Sequence, residues 1–301
     1  MAEREWLAQS FEKHRTHLRA VAYRMLGSVA EADEAVQEAW LRLSRGGTDG
    51  VENLGGWLTT IVARVCLNVL QARKAHPEHA TGLRMPEPVV TRDDGTDPEQ
   101  AVLVADSVGL ALLVVLDTLA PAERLAVVLH DMFDLPFEEI APMVRRSSTA
   151  ARQLASRARR KIQGAAVPAV DPSLAGQRKV VDAFFAAARV GDFDALVRVL
   201  DPEVVVRSDD GTAHPQAFRV FRGAKTVARG AIAFARRSVL SVLPVLVNGA
   251  AGALIVADGR PIRVMGFTVS RGKIVTIDRT GDPERLNKLD VAALERLPRP
   301  A

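Results

Sequence analysis

Between Arg145 and Lys161 the sequence carries seven basic residues and no acidic one. Cationic side chains at that density suit a phosphate backbone. Arg152 and Gln153 add planar groups that can bond base edges in pairs, Arg to guanine and Gln to adenine. Both fall in the first two turns of an expected helix. Ser147 or Ser148 can cap its start, and Ala151, Leu154, Ala155, Ala158 and Ile162 recur along one face. Thr149, Arg152, Gln153, Ser156 and Arg160 occupy the other. The candidate DNA contacts are therefore Ser148, Thr149, Arg152, Gln153, Ser156, Arg157 and Arg160.

A second helix must position this one. Pro136 to Ala141 has Pro at the first turn and two acids near the positive end of the helix dipole. Pro142 should shorten or kink it, and Arg145-Arg146 marks the break. Two short helices around a tight turn describe a helix-turn-helix, whose second helix enters the major groove. The plainer reading is a surface helix with a solvated charge run. Small buried alanines, a capped start and a one-signed charge favour DNA.

Other chemistry is sparse. Asp209, Asp210 and His214 hold groups that can do acid–base work, but Asp-Asp-Gly is also a turn signal. No metal-ligand spacing, phosphate loop or nucleophile–base pair is present, so we expect no catalytic residue, no metal and no cofactor. The single Cys66 lies in an apolar helical pattern and suits a reducing cytoplasm better than a disulfide framework. The charged start of the chain does not read as a signal peptide. The longest apolar stretch, 108–116, is about half the roughly 20 residues of a membrane span, so no membrane partner is expected. Net charge is +4 in 301 residues. The basic helix is thus a local footprint on a chain that is not globally cationic.

The elements follow in order. Residues 6–26 read as a helix that Gly27 ends. Ser28 and Glu31 form a capping box for a second. Its apolar stripe is Ala32, Ala35, Val36, Ala39, Trp40 and Leu43, and its other side is acidic: Glu31, Asp33, Glu34 and Glu38. A solvated face is common, but an acidic face on a DNA-binding chain also suits a basic protein partner. A Gly-rich loop, 44–56, leads to a helix that opens at Trp57. Leu58, Ile61, Val62, Val65 and Val69 should face inward there, and Thr59, Arg64, Asn68, Gln71 and Arg73 outward. Residues 77–96 read as a Pro-rich linker. Helices are expected from Asp97 to about Thr118 and from Pro121 to near Asp134. Beyond 167 the character changes to two helices, a strand at 204–206, a helix at 223–236 and strands at 241–247, 253–257, 261–269 and 273–278. Asp258-Gly259 and Arg271-Gly272 sit at hairpin turns. That is an α+β domain with a curled antiparallel sheet.

Tyr23-Arg24-Met25-Leu26-Gly27-Ser28 with Ala35-Val36-Gln37-Glu38-Ala39-Trp40-Leu41-Arg42 resembles region 2 of the extracytoplasmic-function (ECF) sigma factors of RNA polymerase. Glu138-Glu139-Ile140-Ala141 with Arg152-Gln153-Leu154-Ala155-Ser156-Arg157-Ala158-Arg159 resembles their region 4. The remainder resembles the SnoaL-like cone of the SigJ-like subgroup. Met85-Pro86-Glu87-Pro88, Asp210-Gly211-Thr212-Ala213-His214 and Asp282-Pro283-Glu284-Arg285-Leu286 are similar to three short motifs of that subgroup.

The resemblance implies a multidomain chain. Region 2 spans 1–76, the linker 77–96, region 4 with its helix-turn-helix 97–166, a regulatory α+β cone 167–290 and a tail 291–301. It implies that Asp33, Glu34, Gln37 and Glu38 meet the clamp helices of the polymerase β′ subunit. Asn53, Thr59, Arg64, Asn68, Gln71 and Arg73 would line the −10 strand, with a flipped base at the Gly-rich loop. Region 4 would bind the β flap and read the −35 element. Pro86, Glu87, Pro88, Asp210, Gly211, Asp282, Pro283, Glu284, Arg285 and Leu286 would join cone to linker, and the concave apolar mouth of the cone suits a small-molecule ligand. The competing readings are a helix-turn-helix regulator with a ligand-sensing cone, and an enzyme built on the cone, a fold that by itself decides nothing.

Overall fold

The computed structural model describes residues 2–46, 51, 53–75, 85–92, 109–165, 168–211, 218–236 and 240–295. The chain divides into two compact units, residues 1–80 with 112–167, and residues 81–111 with 168–301.

The first unit is helical. Helix α1 (Ala2–Leu26) buries Phe11, Leu18, Val21 and Met25, and Gly27 ends it with φ +72°. Helix α2 (Val29–Gly46) buries Ala32, Ala35, Val36, Ala39 and Leu43 on the expected stripe. Ser28 Oγ accepts from the Glu31 N–H at 3.5 Å, and the Glu31 carboxylate bonds Arg73 of α3. Helix α3 (Leu54–Ala75) starts three residues before Trp57, and α2 runs three residues into the expected loop. Residues 47–50 and 52 of that loop, and the helix expected over 97–108, lie outside the described residues. By length and composition α3 is apolar enough to cross a membrane, although the 108–116 stretch is not. Its inner face packs on α1 and α2, and Arg64, Arg73 and Lys74 interrupt the remainder.

Helix α4 (Leu110–Asp117) is followed by α5 (Pro121–Val127), which runs on through a π-helical turn, Val128–Met132. Helix α6 (Phe137–Met143) stops one residue after Pro142, where Arg145 turns the chain with φ +53° and the Arg146 N–H closes on the Ala141 carbonyl at 3.0 Å. Helix α7 (Ser148–Gly164) begins at an N-cap supplied by Ser147, whose Oγ accepts from the Ala150 N–H at 3.2 Å. Contrary to the expected separation at a linker, α1–α3 and α5–α7 share one compact unit.

Among the described residues the second unit is a seven-stranded sheet with α-helices packed on one face. The elements are β1 (Val90–Thr91), α8 (Leu174–Val190), α9 (Phe193–Val199), β2 (Leu200–Asp209), β3 (Phe218–Arg222), α10 (Ala224–Ala235), β4 (Ser241–Val247), β5 (Ala250–Ala257), β6 (Arg260–Ser270), β7 (Lys273–Thr280), α11 (Pro283–Leu286) and α12 (Val291–Glu295). The strand order is β1-β4-β5-β6-β7-β2-β3. Three hairpins turn on paired positive φ angles, at Asn248-Gly249, Asp258-Gly259 and Arg271-Gly272.

Two expectations are corrected here. The sheet is mixed, because β2 leaves α9 and enters beside β7 in parallel, Val206 opposite Ile277. Residues 85–92 are no free linker. β1 adds an antiparallel edge to β4, Val90 opposite Val247.

Candidate nucleic-acid interface and linker clasp

In α7 a short amphipathic period decides which groups are free. Ala151, Ala155 and Ala158 are buried, and small side chains there let the helix lie close on α5. Thr149, Arg152, Gln153, Ser156 and Arg160 are exposed, as expected, and Ser148 is half-buried. Arg152 donates to Glu138 Oε1 of α6 at 2.8 Å, and its guanidinium lies 5.6 Å from the Phe137 ring centre. It is held upright at the start of the helix, and both side chains of this ion pair are more than half exposed. Arg157 turns sideways to Glu123, as does Lys161 at 2.7 Å. Burial alone would raise the Glu123 carboxyl. Hydrogen bonds from Lys161, the Ala120 N–H and Arg157 outweigh it and hold the group below its usual range. Arg157 stays exposed while its Nε is tied to Glu123 of α5.

In α3, Arg64, Asn68 and Gln71 are exposed at i, i+4 and i+7, one continuous polar stripe. The expected inner face is corrected. Thr59 is 2% exposed and its hydroxyl donates to the Gly55 carbonyl at 2.8 Å, so it cannot line a strand on the surface. The buried face is 58, 59, 61–63, 66 and 67, turned away from Val65 and Val69, which are half-buried. Arg73 is held by Glu31 and by the Leu26 carbonyl at 3.4 Å. Asn53 is exposed, and its Oδ1 accepts the Gly56 N–H at 3.0 Å, which caps the first turn of α3. An Asn three residues ahead of a helical Gly was the available signal for that cap.

The acidic side of α2 presents Asp33, Glu34 and Gln37 to solvent, with Glu38 half-buried. Asp33 pairs with Arg19 of α1 at 2.6 Å and Glu38 with Arg42 at 2.9 Å. Among the described residues Glu34 and Gln37 make no such pair.

Within the same unit, two buried arginines join the helices that flank these faces. Arg124 of α5 is 2% exposed; its Nε and Nη2 donate to the Arg24 carbonyl at 3.1 and 3.0 Å, and its Nη1 bonds Asp117. The Arg24 guanidinium, equally buried, lies 4.9 Å from the centre of the Phe133 ring. Neither arginine was separable from the surface basic residues by its place in the sequence.

In the second unit the three short motifs converge. The Met85 N–H donates to Asp209 Oδ2 at 2.9 Å, and the Met85 carbonyl accepts from Arg285 Nη1 at 2.7 Å. Arg285 lies 3.6 Å from both Asp209 and Asp282. Asp282 caps α11 through the Glu284 N–H at 3.0 Å, and Leu286 is 4% exposed. Pro283 and Glu284 point to solvent. Gly211 has φ +83°, and a Cβ there would meet Asp282 Oδ1 at 2.9 Å, so this crossing needs glycine. Pro86 is buried and Glu87 and Pro88 half-buried. Val89 then bonds Asn248 twice, its N–H to Oδ1 at 3.1 Å and its carbonyl to the N–H at 2.8 Å. His214 lies outside the described residues.

Between α8, α10 and the concave face of the sheet lies a cavity of about 390 Å³. Phe184, Phe185, Met265 and Ile277 line it, and Arg219, Arg263 and Arg279 supply the charged groups on its wall. Among the described residues no cluster of three His, Cys, Asp or Glu side chains could hold a metal.

Two family models match the chain: Sigma-70 region 2 over residues 10–76, and Sigma-70, region 4 over residues 109–162. The chain is 39% identical over 289 residues to the ECF RNA polymerase sigma factor SigJ of Mycobacterium tuberculosis, a match that covers 91% of each sequence. The crystal structure of the M. tuberculosis extracytoplasmic function sigma factor SigJ superposes with a TM-score of 0.76 and 37% identity. That match covers 93% of this chain and 98% of that one.

Proposed function

Because the chain belongs to the ECF RNA polymerase sigma factors, which bind core polymerase and promoter DNA and direct transcription initiation at specific promoters, we propose how its surfaces divide that work. The exposed face of α7 reads the −35 element, with Arg152 and Gln153 at base edges and Thr149, Ser156 and Arg160 toward the backbone. The stripe Arg64, Asn68 and Gln71 lines the melted −10 strand. Thr59 takes no part, and Arg73 acts by holding α3 to α2. The acidic side of α2 meets the β′ clamp helices, and the region 4 helices meet the β flap. The site of action is the cytoplasm, where the polymerase works. The second unit modulates output through the clasp on residues 85–92, and is not an enzyme.

One observation carries this reading: the exposed polar and basic faces lie on α3 and α7, while the acidic face lies on α2. A promoter-reading subunit needs both signs, one for phosphate and one for a basic protein surface. Run-off transcription with core polymerase and a promoter library is the test. A defined start site with shared −10 and −35 sequences supports it. Binding to DNA without any initiated transcript would leave the helix-turn-helix regulator instead.

A further inference from the structure

The cavity of the second unit has a chemistry that transcription initiation does not use. Strand alternation sets it: Arg263 and Met265 of β6, Ile277 and Arg279 of β7 and Val206 of β2 all point to the concave side. The apolar end is built by Phe184 and Phe185 of α8, packed edge-on against each other at 5.4 Å. The polar end is built by three guanidinium groups. Arg263 lies 5.3 Å from the centre of the Phe234 ring, and Arg279 lies 5.4 Å from that of Phe221.

The charges at this end do not balance. Among the described residues the pairing carboxylate is Asp210, which bonds Arg219 at 2.6 Å and Arg263 at 3.1 Å. Among those residues no carboxylate lies within ion-pair distance of Arg279. The Nε groups of Arg263 and Arg279 are buried without a hydrogen-bond partner. Burial and the neighbouring Arg263 push the Arg279 guanidinium down to about 10. A half-buried guanidinium whose Nε is desolvated and which has no carboxylate beside it is only partly compensated by an aromatic face, and an anion that reaches it relieves the remaining cost. The lining residues of the described wall include no carboxylate or imidazole, so the wall offers a receptor's groups, not a general base.

We propose that this cavity binds a small amphipathic anion, a carboxylate on an apolar body, with the carboxylate on Arg263 and Arg279 and the body against Phe184, Phe185 and Ile277. Its size lies within the range of small-ligand pockets, about 300–1,000 Å³. A guanidinium offers paired donors that match a carboxylate, which a lone ammonium or hydroxyl ligand could not exploit.

Calorimetric titration of the full chain tests this with octanoate and octanamide, which share an apolar body and differ in charge. Octanoate should bind at least tenfold more tightly, and added salt should narrow the gap. Arg279→Met keeps an unbranched apolar stem and should remove the preference while octanamide still binds, which also reports an intact cavity. Arg279→Lys should keep part of the preference. Equal affinity for the two probes, no octanoate binding at millimolar concentration, or an Arg279→Met chain that still prefers octanoate overturns the proposal. The readout needs no polymerase, so it stands apart from any failure in transcription.

Discussion

At the scale of single residues, two side chains make contrasting statements. Arg152 is exposed but not loose, since Glu138 and the Phe137 ring fix where its guanidinium sits. Arg152→Ala should relax −35 preference by about 1–3 kcal/mol per lost base contact, with core binding intact. A randomised −35 library that returns the same sequence for parent and variant would sink this. Cys66 is the opposite case. Burial pushes its thiol up from 9.0 to about 12, against a smaller opposing effect of Arg124. The folded state favours the protonated thiol, so the contribution to stability falls as pH rises above 9. At pH 8 only about 10⁻⁴ of the thiol is ionised, so a disulfide reagent should react with Cys66 only as fast as the helices open. Rapid labelling of native protein, at the rate seen in urea, would contradict the burial.

At the scale of elements, α2 has one face that is understood and one that is proposed. The apolar stripe is consumed by the bundle. The acidic side is locally paired at Asp33 and Glu38, in exposed salt bridges worth about 0–1 kcal/mol each. Those pairs are weak enough to be exchanged for a basic partner. Asp33→Lys combined with Glu38→Lys should weaken core-polymerase binding and flatten its salt dependence, with little change in folding stability. Core binding as tight as the parent's, over a range of salt, would return this face to plain solvation. Helix α7 shows the other use of charge, since buried Glu123 ties the exposed Arg157 and Lys161 to α5, while Arg152, Gln153 and Arg160 make no bond to it.

At the scale of the whole molecule, the chain between the two sigma regions contributes an edge strand to the second unit. Anything that opens the second unit therefore frees residues 85–92. Arg285 closes this clasp with a charged hydrogen bond to the Met85 carbonyl, in a setting where such bonds contribute about 2 kcal/mol. Arg285→Ala should speed hydrogen exchange at Met85 to Thr91 and raise promoter output. Removal of 282–301 should act in the same direction more strongly, because it also removes buried Asp282 and Leu286. Deletion of the whole second unit should lower output. Transcription indistinguishable from the full chain in all three variants would give the clasp a purely structural task.

The sequence by itself determined the helical half, the basic helix with its Ser cap, the acidic side of α2 and two of three hairpin turns. Each is written in residues within a few positions of one another, where period and capping chemistry act directly. Asn248-Gly249 carries the same turn signal, and β5 starts directly after it at Ala250, three residues before the expected 253. What only the tertiary structure decided depends on partners far away in the chain. Arg24 and Arg124 are buried because they meet across 100 residues. Thr59 faces inward because α3 is rotated by its neighbours. Residues 90–91 become a strand because β4 offers an unpaired edge. The direction of β2 beside β7 follows from which edge the sheet leaves open, and short-range pattern carries no record of that. The arginine-walled cavity has the same origin, since Arg219, Arg263 and Arg279 stand on three strands that only the curled sheet brings together.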